Sequence, residues 1–171
     1  MKRKFYLALY YWFAQYLPSY GFFSGNKLRR FCCKHIFKYC GENVTIERRA
    51  YFGSGRELSL GDYSGLGVNC VVPGDTTIGK YVMMGPNCHI FAVNHEYKDT
   101  ETPMCLQGTT PSKKTIIEDD VWIGQNVIMT PGRTIKKGSI VAAGCVLCKD
   151  FPAYSIIGGN PSKLIKSRLD C

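Results

Sequence analysis

Three histidines are the side chains of this chain that ordinarily titrate near neutral pH, and their settings differ. His35 falls in a basic helical stretch and reads as structural. His89 and His95 stand six residues apart at equivalent places in a repeat, and His89 reads as an outward-facing residue of its surface. His95 opens a polar, proline-containing stretch, EYKDTETPMCLQGTTPSKKT, that interrupts the repeat. A neutral imidazole there can take the proton of a hydroxyl while a new bond forms. A zinc centre of three histidines needs one more than the repeat carries, so no metal is expected. The nine cysteines are odd in number and irregular in spacing, which argues against a disulfide framework. Cys70, Cys88 and Cys145 recur at a small-residue position and read as interior filler in a reducing compartment. Cys32, Cys33 and Cys171 carry no assigned role.

What must position His95 is a six-residue beat. Aliphatic residues fall at Leu60, Leu66, Val72, Ile78, Met84 and Ile90, then at Ile117, Ile123, Met129, Ile135, Val141 and Leu147. Gly61, Gly67, Gly79, Gly85 and Gly124 each follow a beat residue and are expected to form tight corners. Small residues sit four past the beat at Ser64, Cys70, Thr76, Val82, Cys88, Val121, Val127, Ser139 and Cys145. A period of six is not helical and not simple alternation. It marks a parallel β-helix, in which three hexapeptides make one triangular coil and the beat residue points into a dry interior.

Blocks such as IGKYVM and IGQNVI resemble the signature of the left-handed parallel β-helix acyltransferases. The left hand is implied by that resemblance alone, since parallel crossovers generally favour the right. The segment GPNCHIFAVNHEYKD, followed by Pro103, is similar to the catalytic segment of the galactoside, maltose and xenobiotic O-acetyltransferases. That similarity implies His95 as the general base of acetyl transfer from acetyl-CoA to a sugar hydroxyl. Glu96 or a backbone carbonyl would hold the imidazole tautomer. The resemblance also implies a homotrimer, with coenzyme A in the groove between neighbouring subunits.

The groove would be lined by Trp122 and Gly124, Ala143 and Gly144, Cys148 and Lys149, and the tail from Gly159 to Lys163, with Lys149, Lys163 and Lys166 meeting the phosphates. Cys148 replaces the more usual threonine. Plain packing for Trp122 and a solvated tail for the lysines stay open. Acceptor contacts are expected from Tyr63, Asn69, Asn87 and Glu96. An asparagine that galactoside enzymes carry near Gly67 is missing, which argues against a simple galactoside. The first forty residues look less like the helical cap of the galactoside and maltose enzymes than like the start of acetyltransferases from capsule, exopolysaccharide and lipopolysaccharide pathways.

The organisation follows: a helical, basic and aromatic-rich segment at 1–40, broken near Pro18 and Gly21, with its second helix ending at Gly41; a β-helix at 41–152 with an inserted loop at 96–115; and a tail at 153–171 that leaves the β-helix. The net charge of +9 is concentrated in residues 1–50, where ten Lys and Arg face two acids. Residues 1–23 read either as a helix packing its aromatics on protein or as a peripheral membrane contact. The apolar run is too short to span a bilayer. No nucleic-acid motif is present. The expected location is the cytoplasm or its membrane face. The leading reading is sugar O-acetylation in surface-polysaccharide synthesis. Antibiotic O-acetylation is the alternative, and a non-catalytic scaffold a distant one.

Overall fold

A chain that must turn every six residues leaves only two for each strand, and the computed structural model, which describes residues 2–19 and 24–170, is built that way. The expected break at Gly21 and Cys171 lie outside the described residues. Helices α1 (Lys2–Trp12) and α2 (Gly25–Ile36) come first. The strands follow as β1 (Tyr39–Cys40), β2 (Thr45–Ile46), β3 (Ser59–Leu60), β4 (Gly65–Leu66), β5 (Thr77–Ile78), β6 (Met83–Met84) and β7 (His89–Ile90). After the insertion come β8 (Ile116–Ile117), β9 (Trp122–Ile123), β10 (Ile128–Met129), β11 (Thr134–Ile135), β12 (Ile140–Val141) and β13 (Val146–Leu147), then β14 (Ser155–Gly158) and β15 (Lys163–Ser167).

The strands stack into three parallel faces. The first is β1-β3-β5-β8-β11. The second runs β2-β4 and β6-β9-β12-β14-β15, its two parts joined by Gly65 N–H donating to the Val82 carbonyl at 2.9 Å. The third is β7-β10-β13, extended at its base by bridges from Tyr51 to Val71 and from Val71 to His89. Ser59 pairs with Thr77 and Ile116 with Thr134, each one 18-residue coil onward. Thr77 pairs with Ile116, 39 residues onward, so the insertion lies between the third face and the first.

Eleven of the twelve beat residues are buried, and Met84 is half-buried. All nine small positions are buried as well, including Cys70, Cys88 and Cys145, and the eight described cysteines are free thiols. The glycine expectation is corrected in its reason. The turning residues lie three past the beat, where Tyr63, Asn69, Tyr81, Asn87 and Asn126 all have φ between 55° and 58°. Asparagine tolerates this left-handed region better than most residues. The glycines one past the beat are not in that region. They are needed because coils stack closely there: a Cβ on Gly85 would lie 2.6 Å from Gln125 N, and one on Gly124 2.5 Å from Ala143 N.

Two boundaries differ from expectation. Helix α2 ends at Ile36, not Gly41, because Phe37 is already extended and the first coil begins at Tyr39. Gly41 serves instead as a stacking position beneath Asp62. The tail does not leave the β-helix: Ile156 and Ile157 pair with Ile140 and Val141, and β15 folds back antiparallel on β14.

Both helices close the base of the prism. Tyr10 is buried, with its hydroxyl donating to the Ala50 carbonyl at 2.7 Å, and burial pushes that phenol's pKa well up. Its ring and that of Phe37 each lie 4.7 Å from Phe52. Arg29 is fully buried and donates to the carbonyls of Ile46 (2.6 Å), Ala14 (3.2 Å) and Leu17 (2.8 Å) and to the Ser19 hydroxyl (3.0 Å). Expected only as one of several basic residues of α2, it clamps both helices to the first coil.

Candidate active site

The insertion is an ordered hairpin, and it begins before residue 96. Lys113 N–H donates to the Ala92 carbonyl at 2.9 Å, Thr110 to Asn94 at 2.8 Å, and Glu96 to Gly108 at 3.1 Å. His95 bridges antiparallel to Thr109. The Gln107 amide donates to the carbonyls of Asp99 (2.8 Å) and Thr102 (2.6 Å), which closes the tip. His95 is therefore held by its backbone on the outgoing arm, with its ring exposed. The expected support from Glu96 is absent: the side chains of His95 and Glu96 form no ion pair or hydrogen bond with each other. His89 is exposed on the third face and stacks on Phe91 at 6.1 Å. His35 stacks on Tyr6 at 4.1 Å, a packing role.

The second face holds a cleft of about 540 Å³ where it turns toward the third. Trp122, Gly124 and Ala143 line it, together with Gly85, Pro86 and Ile140. Sequence reasoning named the first three and missed Gly85 and Pro86, which lie one coil below Gly124 and carry the same Gly-x-Asn pattern (GPN, GQN) that could have found them. Trp122 is half exposed and pairs with Ile140, which pairs with Ile156, so the three form an outward column. Gly144 turns the corner beside Ala143 with φ of 71° and nothing within 4 Å of a Cβ position. Small residues thus leave a narrow, apolar slot with bare backbone at its rim.

Lys163 and Lys166 are three apart, a spacing that puts side chains on opposite faces of a regular strand. A register shift in β15 changes this, because Lys166 faces Ile156 while Lys163 faces Gly158. Ile156 and Gly158 share a face, so both lysines come to the face that carries Trp122, above the cleft. Cys148 and Lys149 follow β13 on the neighbouring third face. The Lys149 ammonium lies 5.5 Å from the Phe151 ring centre. Cys148 is exposed, its sulfur lies 3.3 Å from the Ser162 hydroxyl, and that hydrogen bond holds its thiol below the usual pKa.

The acceptor candidates occupy corners. Asn69 donates to Asn87 and Asn87 to Asn126, each at 3.1 Å, in a ladder of side-chain amides running up one edge. Tyr63 stacks on Tyr81 at 5.4 Å along another. Exposed as they are, these side chains are already engaged in holding coil to coil. A second cleft of about 490 Å³ adjoins the first at Pro86 and is lined by Ser19, Glu47, Arg48, Gly67 and Met84. Sequence reasoning did not anticipate it, because the segment before α2 supplies one wall.

Residues 114–149 match the bacterial transferase hexapeptide family (six repeats). The chain is 31% identical over 140 residues, 80% of its length, to a galactoside O-acetyltransferase of Lactococcus lactis, and the match covers 66% of that relative, just under two thirds. It is 28% identical over 132 residues, 76% of the chain and 69% of the relative, to an Escherichia coli protein named for acetyl transfer in colanic acid biosynthesis. A hexapeptide-repeat acetyltransferase of Vibrio cholerae, solved with acetyl coenzyme A, superposes with a TM-score of 0.73 and 30% identity over 81% of this chain and 75% of that one. A galactoside acetyltransferase solved with coenzyme A superposes with a TM-score of 0.79 and 27% identity over 97% of this chain and 80% of that one.

Proposed function

From the premise that this chain belongs to the hexapeptide-repeat acetyltransferases, we propose that it transfers an acetyl group from acetyl-CoA to a sugar hydroxyl in surface-polysaccharide synthesis, with His95 as general base. The observation that carries the reading is the slot bounded by Trp122, Gly124 and Ala143, with Lys163 and Lys166 on the same face above it. A thin pantetheine arm fits a wall of glycine and alanine. Its two amides can pair with bare backbone, and the two ammonium groups suit the nucleotide phosphates.

The chemistry needs few groups. A sugar hydroxyl attacks the thioester carbonyl carbon while the His95 imidazole takes its proton. The tetrahedral intermediate collapses, the C–S bond breaks, and the imidazolium returns the proton to the departing thiolate. Products are the acetyl ester and free coenzyme A, so atoms and charge balance without a metal.

His95 stands on the hairpin at the edge between the third and first faces, whereas the slot lies where the second face meets the third. A site that needs both is completed when the hairpin of one copy meets the slot of another. This supports a homotrimer, whose three flat-sided prisms give three such junctions. The 490 Å³ cleft beside Pro86 extends the slot and offers Glu47, Arg48 and Ser19 to an acceptor. A polysaccharide acceptor is favoured by the colanic acid relative and by the missing asparagine near Gly67.

The test is free-thiol release from acetyl-CoA across neutral sugars, uronic acids, nucleotide sugars and hydroxylated antibiotics. Release that depends on a sugar supports the reading. Release only with an antibiotic would replace the acceptor, and no release together with no coenzyme A binding would remove the transferase.

A further inference from the structure

The outer side of α1 is not that of an ordinary surface helix. Its inner side is occupied by Tyr10, by Tyr11, whose hydroxyl donates to the Gly53 carbonyl at 2.9 Å, and by Arg3, which donates to the Ile36 carbonyl at 2.8 Å. Helical spacing turns Phe5 and Trp12 the other way, while Leu9 packs against the core. Phe5 and Trp12 are 65% and 85% exposed, and just beyond the helix Phe13 and Tyr16 are 54% and 61% exposed. Phe31 of α2, 49% exposed, extends the patch through Tyr6 at 5.6 Å. Packing on the β-helix and an outward aromatic face are thus not alternatives, because the same segment does both.

Charge completes the pattern. Neither helix contains an acidic residue. Of the acids in and next to the first coil, Glu42 pairs with Lys34, Glu57 with Lys38, and Glu47 accepts from Ser19. Lys2, Lys4, Lys27 and Arg30 have no ion-pair partner among the described residues. Aromatics edged by unpaired ammonium and guanidinium groups match the boundary of a bilayer, where rings sit among headgroups and cations meet lipid phosphate. An 11-residue helix cannot cross the membrane, and no described helix is long and apolar enough to do so. A second copy is a poor occupant, since two such faces carry like charge and repel.

We propose that the N-terminal cap docks on an anionic lipid surface, with Phe5, Trp12 and Phe13 entering the headgroup boundary and Lys2, Lys4 and Lys27 facing lipid phosphates. The prism base then lies on the membrane, and the clefts on its sides stay open to an acceptor attached to that surface. This holds or fails independently of the transferase reading.

The test is flotation of the full chain with phosphatidylcholine vesicles, with and without phosphatidylglycerol. Trp12 and Trp122 are the two tryptophans, so Trp122→Phe leaves Trp12 as sole reporter. The expected result is binding to the anionic vesicles, a blue shift of Trp12 emission, and weakening as salt screens the contact. The double change Trp12→Ser, Phe13→Ser should reduce binding by about tenfold or more with circular dichroism unchanged. Lys2→Glu, Lys4→Glu should do likewise without touching the aromatics. Absence of binding, unshifted emission, or equal binding to phosphatidylcholine alone would overturn the proposal. So would self-association that disappears in the Trp12→Ser, Phe13→Ser protein, which would make a second copy the occupant.

Discussion

Cys148 and Arg29 are residues whose types say less than their surroundings. Cys148 is an exposed thiol whose pKa is lowered chiefly by the Ser162 hydroxyl. A lowered pKa means more thiolate at neutral pH, so Cys148 is expected to alkylate faster than an ordinary exposed thiol. Ser162→Ala removes the donor, raises the pKa and slows alkylation severalfold, as followed by mass spectrometry. Arg29 illustrates the limit of reading residues singly. In sequence it is one of four Lys and Arg residues on α2; in the fold it is buried against three carbonyls and a hydroxyl. Arg29→Met leaves those acceptors unpaired and is expected to cost about 3 kcal/mol, measured by urea unfolding. No spacing rule marks it out, because its partners come from Ala14, Leu17, Ser19 and Ile46, which only tertiary packing assembles. His95 stands out in the sequence as a candidate because a break in a strict repeat isolates it. The missing bond from Glu96 was not legible, since adjacency in sequence says nothing about where two side chains point on a hairpin arm.

Among the elements, coils were legible and corners were not. The beat announces the interior so clearly because one aliphatic per hexapeptide must face it. The corner is harder to read, since asparagine, tyrosine and glycine all occupy the left-handed position, and the glycines one past the beat are fixed by the coil above rather than by their own φ. The amide ladder of Asn69, Asn87 and Asn126 has the same origin: residues 18 or 39 apart become neighbours only after stacking. The shift in β15 bears on the proposed phosphate contacts, because it brings Lys163 and Lys166 to one face. Replacing both by alanine is expected to raise the KM for acetyl-CoA about tenfold or more. The KM for S-acetylpantetheine, which lacks the nucleotide phosphates, should not move. An equal rise for both substrates would mean that the lysines matter only for the fold of the tail.

For the whole molecule, the proposed roles of His95 and the slot, which lie on different edges of the prism, would make assembly part of the chemistry. The hexapeptide pattern carries the β-helix, but its hand and the trimer came with the resemblance, because neither is encoded in spacing. Complementation tests the proposed composite site directly. His95→Ala and Ala143→Glu are each expected to be inactive, the first without its base and the second with a carboxylate in the slot. Mixed by co-refolding in equal amounts, they should regain about a quarter of the wild-type sites if base and slot come from different copies. No recovery would put both on one chain.

The most direct measurement is single-turnover acetyl transfer by wild type and His95→Ala with the best acceptor, alongside coenzyme A affinity. The account predicts unchanged affinity and a rate lowered by about 10²–10⁴-fold in the variant, the usual contribution of a general base. A variant that keeps both its affinity and its rate would contradict it, and proton removal would have to be assigned elsewhere.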